Sequence, residues 1–115
     1  MQRVISRIKK RDGTVTDFVQ GKITNAVYRA MESHGLVDNG AAKSVSDIVT
    51  FMLEDKFGGY TVPSVEQIQD IVEMVLMKQG YHEVAKSYIL YREKHKEIRE
   101  AKETGINLTR LIKDY

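Results

Sequence analysis

The 115-residue sequence has no cysteine. Disulfides and thiolate metal sites are therefore excluded, and a cytoplasmic setting is favoured over a secreted one. No apolar run approaches the ~18 residues of a membrane span. The opening Met1-Gln2-Arg3-Val4-Ile5-Ser6-Arg7 regains charge too soon for the apolar core of a signal peptide. The net charge is small too: 18 basic against 16 acidic side chains leave a formal charge of +2. That balance does not by itself argue for nucleic acid. His34, His82 and His95 fall at no metal-ligand spacing. There is no Gly-x-x-x-x-Gly-Lys-Ser/Thr run, which excludes a P-loop. No nucleophile–base arrangement or carboxylate dyad stands out either, so the chain does not read as a catalyst.

What is present describes one globular domain. Apolar residues make up 42% and charged residues 30%, and a chain of this length buries about 65% of its unfolded surface. Arg3-Val4-Ile5-Ser6-Arg7-Ile8 and Thr14-Val15-Thr16-Asp17-Phe18-Val19 are β-prone runs on either side of Asp12-Gly13, a strong hairpin signal. Basic side chains cluster at Arg3, Arg7, Lys9, Lys10 and Arg11.

Helical spacing then takes over. Ile23, Ala26, Val27, Ala30, Met31 and His34 mark a first helix ending near Gly35, and Ala42 to Leu53 a second ending at Gly58-Gly59. A short extended piece, Tyr60-Thr61-Val62-Pro63, predicts a third strand, since a residue before proline avoids the α region. Ser64 is the expected N-cap of a third helix with Glu66 in its first turn, closed by Gly80. A fourth helix is expected from about Tyr81 to about Lys102. Val84, Ala85, Tyr88, Ile89, Tyr91 and Ile98 are its inward or half-buried candidates. Its charged end, Arg92 to Glu100, reads as a solvated face, with phosphates or a partner subunit as the alternatives. The fold class is α+β, a four-helix bundle capped by a small three-stranded sheet.

Three stretches in order then resemble the ATP-cone domain: Lys10-Arg11-Asp12-Gly13 followed by Phe18 and Lys22-Ile23, then Ile68-Gln69-Asp70-Ile71-Val72-Glu73, then Ala85-Lys86-Ser87-Tyr88-Ile89-Leu90-Tyr91-Arg92. The likeness covers about residues 3–100. It implies an allosteric module that binds ATP or dATP, with Mg²⁺, and controls the activity and oligomeric state of an attached ribonucleotide reductase. It also implies homo-oligomers formed through the cone and a catalytic domain as partner. Residues 1–103 would form the cone. Residues 104–115 would form a connector, because Leu108-Thr109-Arg110-Leu111-Ile112-Lys113-Asp114-Tyr115 looks like the lead into an anaerobic, glycyl-radical ribonucleoside-triphosphate reductase.

A triphosphate needs converging cationic donors, and Lys10 on the hairpin and Lys22 at the first helix's start suit that task. Amide donors at that helix start would assist. By the resemblance, Ile8 and Lys10 match positions at the base and phosphates, and Lys22 matches a phosphate-binding lysine. Arg11 belongs to the hairpin motif, and Arg92 to the Tyr-Arg signature. Gln69 stands where many members carry a ligand-approaching histidine, and is otherwise a helix-surface residue. Lys94 and Lys96, one turn on from Arg92, would reach the phosphate mouth. Asp12-Gly13 reads as turn chemistry, and Tyr88 and Tyr91 as packing residues. Thr16 and Val19 stand where members often carry Glu and Asn or Asp. That departure sustains one alternative, a degenerate cone that oligomerises without binding nucleotide. The basic N-terminus sustains another, a nucleic-acid-binding module, though no recognition helix accompanies it.

Overall fold

The computed structural model describes residues 5–58 and 61–104, without the side chains of residues 103 and 104. Arg3, Gly59, Tyr60 and the connector beyond residue 104 lie outside them. The chain order is β1 (Arg7–Lys9), β2 (Val15–Asp17), α1 (Gln20–Glu32), α2 (Asn39–Phe57), α3 (Val65–Lys78) and α4 (His82–Thr104). No helix among the described residues is long and apolar enough to cross a membrane.

The hairpin forms where Asp-Gly places it. Strands β1 and β2 pair antiparallel with Ile8 opposite Thr16. Gly13 N–H donates to the Lys10 carbonyl at 3.0 Å, and Lys10 N–H donates to the Thr14 carbonyl at 2.7 Å. Gly13 has φ +90°, and a Cβ at this position would meet no atom within 4 Å, so backbone conformation and not crowding selects glycine. Asp12 Oδ1 accepts from the backbone N–H of Thr14 at 2.9 Å and from its hydroxyl at 2.6 Å. The side chain and the turn thus hold each other.

The expected third strand is reduced, among the described residues, to a single parallel bridge between Lys9 and Ser64. Lys9 N–H donates to the Pro63 carbonyl at 2.9 Å. Proline has no N–H to return, so the pairing stops after one contact.

Caps fix the helix starts. The Asp38 side chain accepts from Ala41 N–H at 3.0 Å, starting α2 earlier than its apolar spacing alone indicates. Ser64 and Gln67 form a reciprocal capping box on α3, Ser64 Oγ accepting from Gln67 N–H and Gln67 Oε1 from Ser64 N–H. The helices pack as a ring in which α1 and α3 each contact both α2 and α4. Val27, Met31, Val49, Leu53 and Leu76 are fully buried at its centre. Helix α4 turns Val84, Ala85 and Tyr88 inward. Ile89 and Tyr91, expected inward or half-buried, instead face outward, 40% and 36% exposed. Ile89 lies about 100° around the helix from Tyr88, off the buried stripe, and Tyr91 about 60° to the other side, at its edge. The buried Ser46 hydroxyl meets Thr24 Oγ1 at 2.6 Å and Gln20 Nε2 at 3.1 Å, tying α1 to α2.

Candidate functional site

The hairpin lies across one end of the ring because its inner face is apolar. Ile8 on β1 and Phe18 after β2 pack against the helical core. Phe18 N–H donates to the Ser6 carbonyl at 2.9 Å, holding the chain in place as it enters α1. Beneath this roof is a cleft of about 590 Å³, within the ~300–1,000 Å³ range of small-molecule sites.

Three segments distant in sequence line it. The hairpin contributes Ile8, Lys10, Arg11, Asp12, Thr16 and Phe18, and the start of α1 contributes Val19, Lys22, Ile23 and Ala26. Opposite them are Val65, Ile68 and Gln69 of α3 with Tyr88 and Arg99 of α4. Five of the six residues singled out from the sequence, Ile8, Lys10, Arg11, Lys22 and Gln69, therefore border one space. Arg92 does not line it.

The lining divides chemically. Ile8, Phe18, Ile23, Ala26, Val65, Ile68 and Tyr88 give apolar surface suited to a flat ring. Lys10, Arg11, Lys22 and Arg99 bring positive charge, against Asp12 as the only carboxylate among the described residues of the lining. Among the described residues no carboxylate oxygen lies within 4 Å of the charged ends of Lys10, Lys22 or Arg99. Asp12 is engaged with Thr14, whose side-chain and backbone hydrogen bonds hold its carboxyl below the ordinary range. Burial pushes the Tyr88 phenol far above its ordinary value, so the cleft floor presents a neutral hydroxyl.

The start of α1 adds backbone donors. Its N-cap is Val19, in extended conformation, with no side-chain cap hydrogen bond and no acid in the first turn. Lys22 N–H turns back to the Val19 carbonyl at 3.1 Å, which leaves the N–H groups of Gln20 and Gly21 without a cap partner among the described residues.

Arg11 reaches past the cleft to α3. Its Nε lies 2.7 Å from Glu66 Oε1, and its Nη2 donates to Gln69 Oε1 at 3.2 Å. Arg92 joins α4 to α3, with Nη1 at 3.1 Å from Asp70 Oδ1 and 2.5 Å from Glu73 Oε1. Burial works against its charge, but the hydrogen bonds to Glu73 and Asp70 outweigh that and raise its pKa. A second hollow of about 400 Å³ lies outside the cleft, lined by Arg11, Glu66, Gln69, Arg92, Lys96 and Arg99 among others. Lys96 therefore stands beside the cleft. Lys94 instead borders a groove between α1 and α4 with Arg29, Tyr91 and Glu97.

Sequence reasoning passed over Arg99, which it placed in a solvated charge run. The signal was present: Tyr88, Arg92, Lys96 and Arg99 recur at helical spacing and share one face of α4. The structure also brings Ser87 Oγ within 2.5 Å of His34 Nε2, a contact that spacing had not suggested. Both side chains are at the surface side of the α1–α4 seam, Ser33 Oγ lies 3.3 Å from Ser87 Oγ, and no carboxylate joins them among the described residues. The pair lacks the third group that orients a catalytic base. No group of three or more His, Asp or Glu side chains converges among the described residues.

A cationic cleft roofed by a hairpin and walled by three helices defines a small α+β module with the features of an anion-and-ring binding site. A family model described as the ATP cone domain matches residues 6–97, and the chain belongs to that family. Its relatives include the vitamin B12-dependent ribonucleoside-diphosphate reductase of Thermoplasma acidophilum, 49% identical over 108 residues, covering 87% of this chain and 13% of that protein. The ribonucleoside-diphosphate reductase subunit alpha of Chlamydia pneumoniae is 37% identical over 95 residues, 77% of this chain and 9% of that protein. The anaerobic ribonucleoside-triphosphate reductase of Salmonella typhimurium is 29% identical over 85 residues, 74% of this chain and 11% of that protein. The chain thus spans about a tenth of the length of the curated relatives it matches.

Proposed function

We propose that this domain is an allosteric sensor that binds ATP or dATP in the cleft under the hairpin and sets the activity and oligomeric state of an attached ribonucleotide reductase. The observation that carries the reading is the convergence of Lys10, Arg11 and Lys22 with Ile8 and Gln69 on one cleft. The lysine ammonium groups follow a flexible polyphosphate as point charges. The uncapped start of α1 adds amide donors to the same charge, and Arg99 joins this set. Phe18, Ile23 and Ile68 offer the apolar surface that a base requires.

With Asp12 committed to Thr14 and no carboxylate cluster beside it among the described residues, the lining fits a Mg²⁺ carried on phosphate oxygens and water rather than held by a set of side chains. Signalling then works by population shift. ATP and dATP move the equilibrium only by their differential affinity for its two states, typically ~1–3 kcal/mol of coupling. In that scheme the catalytic domain of the parent chain and further copies of the cone are the partners, in the cytoplasm. Three parents are in view: the connector sequence favours the anaerobic, glycyl-radical type, at 29% identity, whereas 49% and 37% weigh toward the B12-dependent enzyme and the ribonucleoside-diphosphate reductase subunit alpha.

One observation favours a second reading. Thr16 and Val19 line the cleft with a short hydroxyl and an alkyl group in place of longer polar side chains, as a degenerate, purely oligomerising cone would. Titration calorimetry with MgATP and MgdATP decides between them. Micromolar binding of either supports the sensor, and no binding of both at millimolar ligand overturns it.

A further inference from the structure

Arg11 belongs to two surroundings at once. Its side chain lines the cleft, yet its guanidinium is held by Glu66 at 2.7 Å and Gln69 at 3.2 Å. Gln69 borders the cleft as well, whereas Glu66 lies outside it, facing the hollow that Arg92, Lys96 and Arg99 border from α4. We infer that Glu66 is a resident counter-ion that a polyphosphate displaces from Arg11, and that it thereby sets the affinity of the cleft. The inference rests on the nucleotide reading above.

Three features support the exchange. The two side chains are 36% and 47% exposed, so water screens their attraction and separation costs little. Glu66 stays where it is when Arg11 leaves, because it occupies the first turn of a capped helix, where the backbone dipole favours a carboxylate. A triphosphate presents several charged oxygens to a planar fork of donors and outcompetes a single carboxylate for it.

The exchange also has a destination. Once Arg11 turns toward the ligand, the Glu66 carboxylate is left across the hollow from Lys96 and Arg99 of α4. Occupancy of the cleft is thereby converted into altered charge balance between α3 and α4, on the outer surface of the domain.

Calorimetry of MgATP binding to the chain and its variants tests this. Glu66→Gln is expected to tighten binding about two- to fivefold, the range an exposed ion pair carries. Asp70→Asn removes the same charge one helical turn away, beside Arg92, and is expected to change affinity by much less. In an Arg11→Gln background, Glu66→Gln is expected to have no effect. An unchanged or weaker affinity in Glu66→Gln overturns the inference, as does an equal gain from Asp70→Asn or a gain that persists without Arg11. Absence of ATP binding by the unaltered chain overturns the nucleotide reading and this inference with it. Equal binding by the unaltered chain and Glu66→Gln overturns the inference alone. Should Glu66→Gln fail to fold, the Glu66 carboxyl carbon resonance of the unaltered chain decides: a shift on saturation with ATP is expected, and its absence overturns the exchange.

Discussion

Lys10 leaves the end of β1 and Lys22 the first turn of α1, and both side chains border the same cleft. Within the proposed sensor they share one polyphosphate. Replacing either by Gln is expected to weaken ATP binding about tenfold, the order of one charge-assisted contact, with no more than a small change in thermal stability. Calorimetry and a melting curve on each variant check this. Loss of stability without loss of affinity would count against the assignment.

Position 19 offers a gain in stability. Val19 is the N-cap of α1 and its side chain supplies no cap hydrogen bond, and it is 50% exposed, so little packing is lost on replacing it. Val19→Asn is expected to stabilise the domain by about 1 kcal/mol, the usual difference between an apolar and a polar cap. Chemical denaturation measures the change.

Acid is expected to loosen the hairpin. The carboxyl of Asp12 is held below the ordinary range by Thr14, first through the hydroxyl and then the backbone. A folded-state pKa below the unfolded one means a stabilising contribution that is present above the unfolded pKa. It is lost as pH falls through the folded pKa. The Thr14 amide resonance should report that loss below about pH 4, where free aspartate titrates. In Asp12→Ala the same amide should lack this step.

Arg92 separates structure from binding. Its guanidinium is engaged by Asp70 and Glu73 and stands outside the cleft. Arg92→Gln is therefore expected to cost about 1.5–3 kcal/mol of stability, as for hydrogen bonds to charged groups, while ATP affinity changes less than twofold. A large loss of affinity in a folded variant would place Arg92 in direct reach of the ligand.

Much of this architecture is written locally. Asp12-Gly13 sets the hairpin, Ser64 with Gln67 sets the start of α3, and the apolar spacing sets four helices. Local signals failed where neighbours decide. Among the described residues the third strand reduces to one bridge because Pro63 has nothing to donate, and Ile89 and Tyr91 turn outward because the seam against α4 is narrower than its apolar content. In the cleft, Lys10 and Lys22 were legible because helix start and hairpin tip carry their own signatures. Arg99 was obscured by a run of charges in which only its angular position sets it apart, and that position matters only once α4 is known to pass behind the hairpin. The grip of Glu66 and Gln69 on Arg11 joins residues far apart in the chain, and nothing local announces it.

The single bridge between Lys9 and Ser64 has a mechanical meaning. The hydrogen bond from Lys9 to the Pro63 carbonyl precedes the residue that caps α3. Roof and wall are thus stitched at the seam where one would hinge on the other. Peeling the roof back breaks the bond beside that cap, whereas the bonds of the capping box lie within α3 itself. Opening of the roof is therefore expected to release the Lys9 amide hydrogen to exchange without releasing that of Gln67.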